Sequence, residues 1–358
     1  MAAHFHPLTV KNISKETSDC VVISFDIPES ISDLFKFEHG QNITLKKSID
    51  GEEIRRSYSI CSAPFENSLR VAVKKVEKGK FSNYANNCIH KGDIIEVMPP
   101  TGRFTIALHA ANKKKYLAFA AGSGITPIVS IMKAILATEP ASSFTLVYGN
   151  RSRGSIIFFE TLEGLKNKYV DRLSIINILS REKTDAQLNF GRINESKLAE
   201  LQKLVDYKSM DETFICGPEE MLFTVKTFLE QQGVDQKKIH FELFTTPGNQ
   251  QVNIEHSSTA SKQGVKSKIT ILLDGRSIDF ELAYNSESIL DAALKQGADL
   301  PFACKGGVCA TCRARLTEGE IKMNVNYALE ADELAKGFIL TCQSRPTTEK
   351  VMIDFDSR

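Results

Sequence analysis

The spacing of four cysteines constrains this chain most. Cys304-x4-Cys309-x2-Cys312 is followed, after 29 residues, by Cys342. This is the ligand spacing of a two-iron, two-sulfide cluster, in which each iron needs two thiolates. Three ligands from one tight loop and a fourth from a distant segment can surround such a cluster. Gly306 and Gly307 suit the loop, because backbone N–H groups must approach sulfur where a Cβ would obstruct them. A structural zinc ion is the alternative, but zinc sites favour two short-spaced pairs, whereas here the fourth cysteine stands alone. The other four cysteines (Cys20, Cys61, Cys88 and Cys216) are scattered. Met1 to Pro7 shows no basic-then-apolar leader, so a reducing, cytoplasmic setting is expected rather than a secreted disulfide scaffold.

A chain of 358 residues has room for more than a cluster domain, and two or three domains are expected at about 150 residues each. Residues 1–110 read as an antiparallel β-barrel. Alternating runs such as Leu69-Arg-Val-Ala-Val73 are punctuated by turns such as Asp50-Gly51. Residues 111–244 switch to buried strands alternating with helices, the pattern of a doubly wound parallel α/β sheet. The apolar run Tyr116 to Ala137 contains Gly122, Gly124, Pro127 and Lys133. It reads as strand, loop and helix rather than a membrane span. Residues 245–266 carry almost nothing apolar and read as a flexible linker with a reach of roughly 25 Å. Residues 267–358 open on a hairpin with Asp274-Gly275 at its turn, as expected of a small α+β domain.

The net charge of +1 excludes a generally basic nucleic-acid binder. It divides unevenly, because residues 267–358 hold 11 Lys+Arg against 14 Asp+Glu, while the remainder is mildly basic.

Three motifs in the first 245 residues carry chemistry. In Arg56-Ser57-Tyr58-Ser59 an Arg can fork to a phosphate, a Tyr can stack on a flavin ring and a Ser can bond the ring edge. Lys75-x3-Gly79-x2-Ser82 offers a turn and a hydroxyl suited to a pyrophosphate. Gly122-Ser-Gly124-Ile-Thr126-Pro127 follows a strand and opens a helix, where free N–H groups face an anion. Cys216-Gly-Pro218 ends a later strand at the same carboxyl edge. Taken singly, each motif also has a plain structural use in packing, turns or surface charge.

In this order and spacing the motifs resemble the ferredoxin–NADP reductase family, and the last 90 or so residues resemble plant-type ferredoxins. The first resemblance implies an FAD site with Arg56, Tyr58, Ser59, Gly79 and Ser82. It places nicotinamide beside Gly122, Gly124, Thr126 and Cys216, with Phe244 shielding the flavin. Cys216, Tyr58 and Ser59 would then stand at the hydride-transfer site. Arg151, Ser180, Arg181 and Arg192 fall where NADP-using relatives contact a 2′-phosphate, which favours NADPH over NADH. The second resemblance implies a β-grasp fold with Cys304, Cys309, Cys312 and Cys342 as cluster ligands.

The whole chain resembles reductase subunits of oxygenase complexes, those of phenylacetyl-CoA epoxidases in phenylacetate catabolism among them. The resemblance rests on Arg56-Ser-Tyr-Ser-Ile-Cys61, Met98-Pro-Pro-Thr-Gly-Arg-Phe-Thr105 and Phe302-Ala-Cys-Lys-Gly-Gly-Val-Cys-Ala-Thr-Cys312. It implies electron flow from NADPH to FAD to [2Fe–2S] to a di-iron oxygenase component. A reductase for a Rieske-type ring oxygenase, using NADH or FMN, is the first alternative. A zinc-stapled, non-enzymatic interaction module is the second. If the linker lets the ferredoxin module visit the flavin and then the partner, shortening 245–266 should slow reduction of an external acceptor while sparing flavin reduction. Stopped-flow rates for the two steps check this, and an unchanged acceptor rate would refute it.

Overall fold

The computed structural model describes residues 4–184, 186–244, 266–284 and 286–357. The stretch 245–265, which holds all but the last residue of the expected linker, lies outside the described residues. The chain divides into two compact units, one from His6 to Phe244 and the other comprising the C-terminal module and the first few residues.

The first unit begins with six antiparallel strands: β1 (His6–Thr17), β2 (Cys20–Asp26), β3 (Asn42–Ile49), β4 (Glu52–Ser59), β5 (Leu69–Lys74) and β6 (Ile94–Thr101). Their order is β4-β3-β6-β1-β2-β5. An antiparallel bridge from Ile60, just past β4, to Val71 on β5 joins the two ends and closes the barrel. Asp50 and Gly51 both have positive φ (52° and 79°), as the two-residue turn between β3 and β4 requires. Leu8, Ile23, Ile43, Leu45, Val71 and Val97 fill the interior. Helix α1 (Lys80–Asn87) adds Phe81 and Ala85 to that core.

The parallel sheet follows, with β7 (Lys115–Ala121), β8 (Ser143–Asn150), β9 (Leu173–Leu179), β10 (Glu212–Gly217) and β11 (Ile239–Leu243). The order β11-β10-β7-β8-β9 makes it doubly wound, with a switch point between β7 and β10. Its helices are α2 (Ile125–Thr138), α3 (Phe159–Lys168), α4 (Glu195–Leu201) and α5 (Glu219–Gln231).

Helix α2 is buried continuously from Ile125 to Leu136. It packs in one cluster with sheet residues such as Tyr116 and Phe214 and with Cys20, Cys61 and Ala72 of the barrel half. That double contact explains why the run Tyr116 to Ala137 is apolar all round, as only a fully enclosed helix can be. Among the described residues no helix is long and apolar enough to cross a membrane. Pro127 sits in the first turn of α2, where its missing N–H breaks no helical bond.

The C-terminal unit has strands β12 (Lys266–Leu273), β13 (Arg276–Ala283), β14 (Arg313–Glu318), β15 (Ile321–Met323), β16 (Phe338–Leu340), β17 (Ser344–Pro346) and β18 (Lys350–Asp354). Lys266, assigned above to the linker, already pairs with Ala283 in the β12–β13 hairpin. The mixed sheet has the order β13-β12-β18-β14-β16, with β12 and β18 parallel, and β15 pairs separately with β17. Helix α6 (Ile289–Lys295), capped by the Ser288 hydroxyl, packs into its core, and α7 (Ala331–Ala335) precedes β16.

At the amino edge of the parallel sheet Glu139 is wholly buried. It accepts from the Tyr116 hydroxyl (2.7 Å), Asn112 Nδ2 (2.6 Å), the Ser142 hydroxyl (2.8 Å) and the His109 amide (3.2 Å). Burial pushes this carboxyl up, but the four donors outweigh it and hold it below its usual 4.5. A carboxylate whose folded value is depressed stabilises the fold above its unfolded value and loses that contribution as pH falls through the folded one. The melting temperature should therefore fall as pH drops below about 4.5. Tyr116→Phe should cost about 1.5–3 kcal/mol near neutral pH, the worth of one bond to a charged group. Thermal melts of both proteins across pH check this, and a mutant melting like the parent would contradict it.

Candidate functional site

In the C-terminal unit the loop between α6 and β14 carries Cys304, Cys309 and Cys312, and the turn between β16 and β17 carries Cys342. Backbone conformation brings the loop thiols inward. Lys305, Gly307 and Ala310 adopt left-handed φ values of 51°, 75° and 51°. Only Gly307 bears the glycine such a position favours; a Cβ there would lie 3.1 Å from the Val325 carbonyl oxygen and 3.2 Å from Gln343 Cγ. Gly306 serves differently, as its N–H donates to Cys304 Sγ at 3.3 Å.

Among the described residues no three His, Cys, Asp or Glu side chains converge as a lone ion would require. Instead Cys304 interacts chiefly with Cys309 and Cys342 with Cys312, and within each pair one thiol is pushed down and the other up. Two irons taking two thiolates each would divide the set in this way. Cys312 and Cys342 are buried, whereas Cys304 and Cys309 are half-buried. The four thiols thus fit a [2Fe–2S] cluster, and the Gly306 N–H bond favours the Cys304 thiolate.

In the first unit β4 presents the R-x-Y-S motif. Arg55 is buried and bound to Glu53 at 2.7 Å, which leaves Arg56 as the half-buried guanidinium of the strand. Tyr58 packs on Phe81 with ring centroids 5.6 Å apart. Burial pushes its phenol well above the usual range, so it stays neutral. Ser59 faces the other way and donates to Glu242 Oε2 at 2.9 Å.

Gly79 caps α1 with its backbone alone, and among the described residues no side chain closes that helix end. A Cβ on Gly79 would lie 2.6 Å from Ser82 Oγ. The buried Ser82 hydroxyl is itself used in the turn, accepting from the Val76 amide (3.1 Å) and donating to the Gly79 carbonyl (3.2 Å). Ser82 therefore shapes the turn, and the open first turn of α1 is what it offers to a pyrophosphate.

At the carboxyl edge of the parallel sheet a cavity of about 790 Å³ is lined by Gly122, Arg151, Ser180, Arg181, Arg192 and Phe244, among others. All six are sequence-predicted site residues. Gly124, Thr126 and Cys216 do not line it. A Cβ on Gly124 would lie 2.1 Å from the Cys216 carbonyl oxygen, so this glycine lets the start of α2 meet the end of β10. The Thr126 hydroxyl donates to the Ser123 carbonyl at 3.0 Å within the turn. The Cys216 side chain is fully buried. Burial first, and then the Glu242 charge, push its thiol well above the usual range, so it is not a thiolate nucleophile.

Three further residues had no place in the motifs. Lys74, at the end of β5, lines the same cavity, and its Nζ would lie 3.7 Å from a Cβ on Gly122. Glu242 pairs in register with Cys216 and binds Ser59, so it joins the strands that carry two of the motifs. Its segment, Phe241-Glu-Leu-Phe244, had drawn notice only for its aromatic residue. Asn150 is also on the cavity lining, more than nine-tenths buried, with both amide atoms lacking a hydrogen-bond partner among the described residues. An orphaned carboxamide of this kind fits a wall that a polar ligand completes.

Three stretches match known domain families in turn. Residues 7–106 match the oxidoreductase FAD-binding domain, 119–227 the oxidoreductase NAD-binding domain and 271–347 the 2Fe-2S iron-sulfur cluster binding domain. The chain is 46% identical to one of the subunits of 1,2-phenylacetyl-CoA epoxidase from Escherichia coli strain K12, covering 99% of this chain and 98% of that one. It is 32% identical to the ferredoxin reductase component of 3-ketosteroid-9-alpha-monooxygenase from Rhodococcus rhodochrous, over 97% and 96% of the two chains. Among solved structures, phthalate dioxygenase reductase aligns with a TM-score of 0.60 at 25% identity, over 98% of each chain. An FAD site replaces the FMN alternative, and the cluster-domain match overturns the zinc-module alternative. The chain is an NAD(P)H-dependent electron-transfer oxidoreductase, and it belongs to the ferredoxin–NADP reductase family whose members carry a C-terminal plant-type ferredoxin domain and serve as oxygenase reductases.

Proposed function

We propose that this chain is the reductase of a phenylacetyl-CoA epoxidase in phenylacetate catabolism, passing electrons from NADPH through FAD and [2Fe–2S] to a di-iron oxygenase component. The observation that carries this reading is the end-to-end 46% identity to a subunit of such an epoxidase. The combination of groups has a chemical reason: a nicotinamide releases two electrons as a hydride, a cluster accepts one at a time, and FAD does both.

The chain's own residues hold and orient these groups. Tyr58 supplies a neutral aromatic face and Arg56 a cation for the FAD phosphates, while Gly79 and Ser82 shape the turn at the pyrophosphate. Ser59, held by Glu242, stands at the ring edge. Phe244, 38% exposed at the end of β11, is free to cover a flat ring on the cavity side. Gly122, Gly124 and Thr126 build the nucleotide turn, and Cys216 fills space beside it as a neutral thiol. Cys304, Cys309, Cys312 and Cys342 hold the cluster. The free thiols Cys20, Cys61 and Cys88 support a reducing, cytoplasmic setting.

The preference for NADPH is supported by charge. Arg151, Arg181 and Arg192 are exposed on the cavity lining with Ser180, and none of the three is ion-paired among the described residues. The carboxylate on the lining, Glu220, belongs to the first turn of α5. A 2′-phosphate would meet cations and a hydroxyl, whereas NAD specificity calls for a carboxylate at the ribose.

Replacing Arg181 and Arg192 together by Gln should raise the KM for NADPH by about ten- to a hundredfold, the loss of charge-assisted bonds. The KM for NADH should stay within about twofold, and steady-state reduction of a dye acceptor with both nucleotides checks this. Equal losses with both would refute the 2′-phosphate assignment. The partner is tested by reconstitution: the chain should support oxygen-dependent conversion of phenylacetyl-CoA with a di-iron epoxidase component. Support of a Rieske-type oxygenase alone would transfer the reading to that class.

A further inference from the structure

Gln343 follows Cys342 directly, and its side chain is buried. Its backbone is pinned on both sides: its N–H donates to the Leu340 carbonyl (2.9 Å), and its carbonyl accepts from the Asn324 amide (3.0 Å). The side chain runs back across the ligand loop. Nε2 lies 2.9 Å from the Lys305 carbonyl oxygen and 3.5 Å from Cys342 Sγ. Both partners are acceptors once the cysteine is a thiolate, so the amide must turn its NH2 end towards them, and it has one proton for each. The absence of a side chain at Gly307 admits the stem, since a Cβ there would lie 3.2 Å from Gln343 Cγ. No motif had singled out this residue.

We propose that Gln343 is a positioning residue for the iron–sulfur cluster, a clamp that ties the fourth ligand to the ligand loop and stabilises the reduced cluster through its bond to the Cys342 thiolate. The inference rests on the cluster assignment made above. Reduction adds one electron and one unit of negative charge to the cluster without breaking a bond. A donor aimed at a ligand sulfur favours the more negative state and so raises the reduction potential. Side chains that orient metal ligands in this way commonly matter tenfold or more.

The test uses the full-length, cluster-loaded protein and two donor-free variants, Gln343→Met and Gln343→Leu. The expected result is a cluster that still forms but whose potential, measured by an EPR-monitored titration, is lower. A tenfold loss in the one-electron equilibrium constant is about 59 mV. Reduction of FAD by NADPH should be unchanged, and release of iron to a chelator should be about tenfold faster. A parental potential in either loaded variant overturns the proposal. So does failure of both variants to load accompanied by an equal fall in the melting temperature of their cluster-free forms, because that marks a role in the fold alone. A parent protein with FAD but no cluster absorbance would instead strike the iron–sulfur assignment on which the clamp rests.

Discussion

Burial of α2 on two sides underlies everything in the unit from His6 to Phe244. One side of the helix meets the parallel sheet and the other meets barrel residues such as Cys61 and Ala72. Polar links pin it in place. The Ser130 hydroxyl donates to the Ser62 carbonyl at 2.6 Å, and Lys133 reaches Glu66 at 3.1 Å. Glu66 in turn holds Arg70 at 2.9 Å and the Ala63 amide at 2.6 Å. A lysine this deeply enclosed needs such a partner, because an unpaired charge there would be costly. The segment fixed by these contacts begins just after Ser59, and α2 begins just after the Gly122 turn. Strand β4 and the Gly122 turn therefore share one rigid support.

Charge is distributed with equal economy. Two groups near the expected hydride-transfer site, the Tyr58 phenol and the Cys216 thiol, are kept neutral by burial, and the charge of Glu242 adds to the effect on Cys216. Cationic groups lie on the cavity lining, with Arg151, Arg181 and Arg192 exposed and Lys74 half-buried. Neutral side chains suit hydride transfer, while exposed cations suit recognition of a phosphate.

The cluster loop is shaped by hydrogen bonds more than by apolar packing. Three residues take left-handed φ within six positions, and two of them carry a Cβ. Such strain of about 1 kcal/mol or more per residue persists only where the surroundings dictate it. Here the N–H of Gly306 bonds a cysteine sulfur, the Tyr327 amide donates to the Gly307 carbonyl (3.1 Å), and Gln343 holds the Lys305 carbonyl.

The sequence by itself determined the order of the folds and the three cofactor classes, and it singled out the four cysteines proposed as cluster ligands. These depend on local periodicity, on glycine and proline at turns and on short cysteine spacings, all of which are written along the chain. It also pointed to six of the residues that line the cavity at the carboxyl edge of the parallel sheet. Other roles could be decided only by tertiary structure. Gly124 and Thr126 belong to the nucleotide motif, yet one makes room for the end of β10 and the other closes a turn. Cys20 and Cys61 had no assignable role until α2 was packed against them. Lys74, Glu242 and Gln343 lie far along the chain from the residues they serve, or outside any motif, so no spacing rule reaches them. Their roles follow from strand register and from loops folded back on one another, which set distances that linear order does not encode.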